Sequence, residues 1–389
     1  MASPHILHLV DSLNIGGTEG KLVDLISGLL QCGYKVSVGY CTPGPWAEKL
    51  KFMGVYVVRL PHRGRVDPML FVRTVRLIRN DPPQIVHTHL LKSDLHGRLA
   101  ARLAGVPVVI GGLHNSDPWA QNRLLGLIYG ATARFTDCLI AVSEEVRQYH
   151  ILQTKVRSEK IIAIENGVDI NRFRDQNENG QRMRTELDID PGAIVFGTVG
   201  RLKPQKDHAT FLQAAREILN QNPSARFLVI GDGPLRSDLE AQARQLGLFP
   251  AITFTGMRTD ISTVLPALDV FVLPSRWEGL PNAMLEAMAA SRPVVATDVD
   301  GVRGVLTSGE NGLLVSPRDS SALAKACLQL ASDTQMRHRL GRAGYEYVAQ
   351  NHSLSVMVER YVECYAGLLQ THSPEHFVEN NSMKKAETS

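Results

Sequence analysis

Cysteine is scarce in this chain of 389 residues: five, at Cys32, Cys41, Cys138, Cys327 and Cys364, with no CxxC pair. That argues against a zinc ribbon or a disulfide framework, and free thiols in a chain of this size fit a reducing compartment. Long apolar runs are missing too. No stretch approaches the roughly 20 apolar residues of a membrane span. The N-terminal MASPHILHLVDSL has no basic region and too short an apolar run for a signal peptide. The expectation is a cytoplasmic protein, soluble or at most peripheral on the inner face of a membrane. Internal repeats and low-complexity segments are absent as well.

Net charge is small, +3, but unevenly placed. Lys and Arg outnumber Asp and Glu by 23 to 16 in residues 1–185 and trail them by 19 to 23 in residues 186–389. A basic first half suits an anionic membrane surface or an anionic acceptor, and ordinary surface variation accounts for it equally well. Nucleic acid is not expected as a partner, because the arginines are dispersed and accompany no nucleic-acid-binding motif.

What is present is a repeated alternation. With 44% hydrophobic residues and this length, two domains are expected. Short apolar runs at His5–Val10, Lys35–Tyr40, Val55–Leu60, Ile85–Thr88, Val106–Ile110, Cys138–Val142 and Ile161–Glu165 read as strands separated by helical patterns such as Glu19–Gln31 and Pro68–Asn80. After a polar stretch, a second series follows: Ile194–Gly200, Ala225–Ile230, Thr253–Thr255, Val270–Leu273, Val294–Ala296 and Gly312–Val315. The fold class is therefore α/β, with two tandem doubly wound domains facing a cleft. The expected division is a first domain at 1–172, a linker at 173–186, a second domain at 187–352, a C-terminal helix at 353–370 and a disordered tail at 371–389. Ligand sites in such sheets lie beyond the strand C-termini, which suggests a nucleotide-type ligand.

The residues that carry chemistry sit at those ends. Glu278-Gly-Leu-Pro-Asn-Ala-Met-Leu-Glu286 follows an expected strand and opens a helix. Glu278 can accept hydrogen bonds from sugar hydroxyls. Gly279, Leu280, Pro281 and Asn282 would present N–H groups at a helix N-terminus, a natural diphosphate site. Glu286, about two turns in, can hold both hydroxyls of a ribose. Spacing alone is explained as well by two unrelated helix acids. Arg201 and Lys206, in Gly200-Arg-Leu-Lys-Pro-Gln-Lys-Asp207, are two cations suited to a diphosphate leaving group, or simply a basic surface turn. Gly231 and Gly233 let the backbone approach a ligand closely. A nicotinamide site is rejected there, because Arg236 stands where the third glycine of the dinucleotide fingerprint belongs.

In the first half, Gly16 and Gly17 shape a turn between strand and helix, with Thr18 as candidate N-cap. His114 follows a strand, at the end of the sheet where sites form, although a lone histidine is more often structural. His87-Thr-His89 has no third metal ligand at a recognisable spacing, so no metal site is assigned.

Together these segments resemble the retaining family-4 glycosyltransferases of group 1, which have the GT-B fold of two Rossmann-like domains. The matches are the E-x7-E pair Glu278 and Glu286; GRL-x-x-QK-D at Arg201, Lys206 and Asp207; GDGP at Gly231–Pro234; GG-x-E at Gly16, Gly17 and Glu19; and ENGVD at Glu165–Asp169. The resemblance covers roughly residues 5–370. It implies that Arg201 and Lys206 bind the donor diphosphate, helped by Gly17 and the loop after Glu278. It places Glu286 on the ribose, Glu278 on the transferred sugar and His114 near sugar and acceptor. The last helix resembles the family's C-terminal helix that crosses back to the first domain.

The family's TD-x-GG-x-x-E segment departs here, with Asp300 for a Gly and Gly304 for the Glu. Asp298-Val-Asp300 is read as no metal site, since the basic pair does that work in this fold. The implied reaction is a metal-independent, cofactor-free transfer of a sugar from a nucleotide sugar, UDP-linked by default. The acceptor is a saccharide or lipid-linked saccharide in bacterial surface glycan synthesis. Weaker readings are a phosphorylase or epimerase of the same architecture, or a scaffold subunit with a degraded site. Intact Arg201, Lys206, Glu278 and Glu286 argue against the scaffold.

Overall fold

A computed structural model describes residues 3–63, 67–116, 118–174 and 177–372. Its strands are β1 His5–Ser12, β2 Lys35–Thr42, β3 Tyr56–Arg59, β4 Ile85–His89, β5 Val108–Leu113, β6 Cys138–Ala141 and β7 Ile161–Ala163, then β8 Val195–Val199, β9 Arg226–Ile230, β10 Ile252–Gly256, β11 Val270–Leu273, β12 Val294–Thr297 and β13 Leu313–Val315. Each apolar run read as a strand is one, within two residues at most ends. They form two parallel sheets, one of seven strands in the order β3-β2-β1-β4-β5-β6-β7 and one of six in the order β10-β9-β8-β11-β12-β13. Both orders reverse direction beside the first strand of the series, at β1/β4 and at β8/β11. Those are the switch points where doubly wound sheets hold ligands.

The chain divides into two units, residues 1–165 with 355–389, and residues 166–354. In the first, Leu7, Leu9, Val86 and Val109 pack one face of the sheet against Leu70, Ile78, Ala100 and Ala101. The chain's last described helix, Leu354–Thr371, belongs with this unit from Ser355 onward. It brings in buried Val358, Tyr361 and Tyr365. Gly28, in helix Gly17–Gln31, makes room for it: a Cβ there would lie 2.2 Å from Val358 Cγ2. In the second unit, Phe196, Phe227, Val229, Val270 and Val272 pack against Phe211, Leu212, Ile218 and Leu323. Fully burying each such side chain contributes about 1.5–3 kcal/mol.

Residues 173–186, read from sequence as a linker, contain the helix Asn177–Glu186 in the second unit. Its polarity hides its anchors. Met183 is buried, and Arg184 reaches Asp269 at 2.7 Å and the Ala267 carbonyl at 3.0 Å. The tail beyond His372, expected to be disordered, lies outside the described residues. No helix of the described residues is long and apolar enough to cross a membrane.

Candidate functional site

The second unit gathers its candidate residues on loops that follow β8, β9, β11 and β12. Arg201 stands just past β8. It is exposed, and among the described residues its guanidinium has no hydrogen bond or ion pair. Lys206 does have a partner: Nζ donates to Glu278 Oε1 at 2.6 Å. Glu278 is buried, at 5% exposure, and the same oxygen accepts from Ser275 Oγ at 2.5 Å. Its other oxygen, Oε2, has no partner among the described residues. Glu278 is therefore not a loose loop acid. It is a charge held in place by a cation from a loop 72 residues earlier.

That clasp has further parts that the sequence reading left without a role. Gln205 donates Nε2 to the Trp277 carbonyl at 2.9 Å and accepts at its own carbonyl from the Arg276 N–H at 2.8 Å. Asp207, at φ 45°, takes a two-pronged ion pair with Arg276, with Nη2 and Nε each 3.0 Å from a carboxylate oxygen. Thr297 Oγ1 donates to the Ser275 carbonyl at 2.5 Å. The Gln-Lys-Asp segment thus fixes the loop after β11. Only the clustering of these residue types beyond adjacent strands hinted at this.

The helix after Glu278 starts later than expected, at Asn282, and runs to Ala289. Pro281 sits at its N-cap in extended conformation, φ −76° and ψ 98°, and a proline biases the residue before it away from the helix. Gly279, Leu280 and Pro281 are consequently buried loop residues, and the helix's leading N–H groups are those of Asn282 and Ala283. Glu286 lies one turn into the helix rather than two, half-buried. Asn282 also accepts from Asn166 Nδ2 at 3.0 Å, tying in the Glu165–Asp169 segment.

Gly231 and Gly233 have a backbone neighbour that explains them. A Cβ on Gly231, at φ +139°, would lie 2.0 Å from the Gly200 carbonyl, and one on Gly233 would lie 2.5 Å from that of Leu202. The two loops are laced by Gly200 N–H to Ile230 O at 2.9 Å and Leu202 N–H to Asp232 O at 3.0 Å. Here the close approach allowed by glycine is to the loop carrying Arg201. At the departing segment, Arg303 pairs with both Asp298 and Asp300, at 2.6 and 2.9 Å. The retained Gly301 lets the chain pass the Gly279 carbonyl, which a Cβ would approach to 2.1 Å.

In the first unit, Gly16 rather than Thr18 is the N-cap, without a side-chain bond. Glu19 folds back to accept from Ser12 Oγ at 2.6 Å, and a Cβ on Gly16 would strike its Oε2. Gly17 opens the helix, exposed. His114 is half-buried just past β5, with its pKa pushed down to about 4 by desolvation. Its Nε2 lies 3.1 Å from His89 Nδ1, and His89 Nε2 lies 3.0 Å from His8 Nδ1. His8 is a third histidine beside the HxH pair, which no sequence spacing reveals. β1 pairs with β4 so that His8 stands opposite His87 and Val10 opposite His89. Burial lowers His8 to about 3 and holds His87 and His89 well below the usual histidine range, so all three rings are uncharged.

The model of a family described as "Glycosyl transferases group 1" matches residues 193–333, and that of "Glycosyltransferase Family 4" matches residues 15–172. The chain is 33% identical to the UDP-Gal:alpha-D-GlcNAc-diphosphoundecaprenol alpha-1,3-galactosyltransferase of Escherichia coli, over 69% of this chain and 71% of that one. It is 32% identical to the lipopolysaccharide core biosynthesis glycosyltransferase LpsE of Rhizobium meliloti, over 47% of this chain and 53% of that one. The crystal structure of Anabaena HepE in complex with UDP-glucose is alike with a TM-score of 0.85 at 23% identity, covering 93% of this chain and 99% of that one. At that identity the likeness is one of fold.

Proposed function

The chain belongs to the group 1, family 4 glycosyltransferases, and from that footing we propose that it moves a sugar from a UDP-sugar, with retention of configuration, onto a saccharide or lipid-linked saccharide of a bacterial surface glycan. The observation that carries the reading is the pair of cations after β8: Arg201 exposed and unpaired among the described residues, Lys206 aimed by a buried Glu278. Two fixed cations beside leading helix N–H groups suit a diphosphate whose charge grows as it leaves. UDP and the lipid-linked acceptor are taken from the printed name of the Escherichia coli relative.

The bond from the anomeric carbon to the β-phosphate oxygen breaks as the acceptor oxygen bonds to that carbon on the same face. The acceptor proton passes to a β-phosphate oxygen. Catalysis is then mainly charge stabilisation and positioning, with no metal at the diphosphate. Glu278 Oε2 receives a sugar hydroxyl and Glu286 the ribose. A panel of UDP-sugars with a lipid-diphosphate saccharide acceptor tests this. Transfer is expected to persist in excess EDTA. Loss on chelation, restored by Mg²⁺ or Mn²⁺, would sink the metal-free step.

Peripheral membrane contact is part of the same proposal. Helix Arg123–Thr132 exposes Leu124, Leu127 and Ile128, at spacings that share one helix face, with Arg123 and Arg134 exposed beside them. The full-length protein is expected to float with anionic vesicles at low salt, and binding should fade as the Debye length falls below about 10 Å. Leu124→Glu with Leu127→Glu should abolish flotation. Equal binding by wild type and variant, or none at low salt, would refute the contact.

A further inference from the structure

The histidine cluster at the β1/β4 switch point has no part in the transfer chemistry above, except that His89 touches His114. His8, His87 and His89 are almost wholly buried, at 0%, 0% and 2% exposure. One ring nitrogen of each lies within 4.8 Å of the others. In this packed interior His87 Nε2 has no hydrogen-bond partner; His8 Nε2 has none either, but it is Nδ1 of His8 that faces His89 and would ligate. Buried polar atoms in that state call for an ion, a water or a penalty.

We propose that His8, His87 and His89 form a site for a borderline divalent cation, Zn²⁺ foremost, that clips β1 and β4 together beneath the C-terminal helix. The donor set is all imidazole, which selects zinc, cobalt, nickel or copper over the oxygen-seeking Mg²⁺ and Ca²⁺. Tetrahedral zinc, with Zn–N distances of about 2.0–2.1 Å, places its ligand nitrogens roughly 3.3 Å apart. The His8 Nδ1 to His89 Nε2 separation is already 3.0 Å, and the His87 nitrogen, within 4.8 Å of the others, has at most roughly 1.5 Å to close to complete the set. Metal-bound histidines characteristically pass their other ring nitrogen to a hydrogen-bond partner. His87 Nδ1 has the Tyr365 hydroxyl at 2.8 Å, and His89 Nδ1 has His114 Nε2 at 3.1 Å. Gly112 leaves space for the second of these contacts, since a Cβ there would lie 2.9 Å from His89 Nδ1. The fourth position falls to a water, since the Tyr365 hydroxyl is engaged at the outward nitrogen of His87. The cation is structural and takes no part at the diphosphate.

The test uses the full-length protein, stripped with chelator and reloaded with ZnCl₂, CoCl₂ or MgCl₂. The expected result is about one zinc per chain after washing, because the three imidazole ligands are almost wholly buried. Melting should rise by roughly 5 °C or more with zinc and not with magnesium. The cobalt form should show tetrahedral d–d absorption. His8→Gln and His87→Gln should each abolish retained zinc and the zinc-dependent melting shift. If either variant fails to fold, the wild-type stoichiometry, cobalt spectrum and melting response still decide. Wild type that retains no zinc and melts alike in zinc and in chelator overturns the proposal. This readout is separate from turnover. A zinc-specific rise in melting temperature belongs to the cluster, whereas activity restored by Mg²⁺ at unchanged melting belongs to the diphosphate.

Discussion

Arg201→Ala lowers kcat by about 10²–10³-fold, the usual cost of one electrostatic partner of a developing charge. Arg201 meets charge that appears as the diphosphate departs, so its loss is felt in the transition state more than in the bound donor. Its side chain is exposed and unpaired among the described residues, so stability should move by less than about 0.5 kcal/mol. Glu286→Ala behaves differently. The ribose is held equally before and during transfer, and losing a charged hydrogen-bond acceptor worth about 1.5–3 kcal/mol raises the donor KM by roughly 10–100-fold at nearly unchanged kcat. Lys206→Ala is a less clean probe. It strands the buried Glu278 carboxylate and should destabilise the fold by about 3 kcal/mol besides slowing transfer. Steady-state kinetics on the first two variants decide the matter. If Arg201→Ala raised only KM while Glu286→Ala abolished kcat at saturating donor, the assigned roles would be reversed and the two-cation account lost.

Gly231→Ala is expected to damage the same site from the backbone. The new methyl would stand 2.0 Å from the Gly200 carbonyl, at a φ of +139° that alanine rarely adopts. A carbonyl cannot rotate aside as a side chain can, so the loop carrying Arg201 must yield. Strain of about 1–3 kcal/mol plus the clash should lower the melting temperature by roughly 5–10 °C. The displaced Arg201 should cost about tenfold or more in kcat. Gly309→Ala is the control. Its φ is +84° but nothing lies within 4 Å of its Cβ, so it carries backbone strain without the collision. If Gly231→Ala melts no lower than Gly309→Ala and keeps wild-type kcat, the glycine is not holding the Arg201 loop.

The sheets were legible because parallel, buried strands read as short apolar runs of Val, Ile and Leu between punctuating turns, as at Val270–Leu273. The helix Asn177–Glu186 was not, because its hold on the unit rests on Met183 and on Arg184 bonding to a carbonyl and a carboxylate more than 80 residues away. The site was read at the level of residue type: Arg201, Lys206, Glu278 and Glu286 were each singled out. Their couplings were not. Nothing local in Lys206 says that it neutralises Glu278, and the proline that delays the helix also moves Glu286 by a turn. His8 illustrates the same limit. The pairing of β1 with β4 skips over two intervening strands, so the partner of the HxH pair lies 79 residues before it, with no spacing rule to find it.

Helix Leu354–Thr371 is the last described element in sequence, yet Val358, Tyr361 and Tyr365 help build the core of the unit that begins at the N-terminus. During synthesis on the ribosome that unit waits. Its seven-stranded sheet emerges first, but the face carrying His87 stays uncovered until residue 365 has left the exit tunnel. Residues 166–354 form a contiguous unit and can close earlier, so the C-terminal half of the sheet pair is the one free to fold first. A stop codon anywhere after residue 165 and before the last helix would leave the N-terminal sheet permanently unfinished, although every one of its strands had been made.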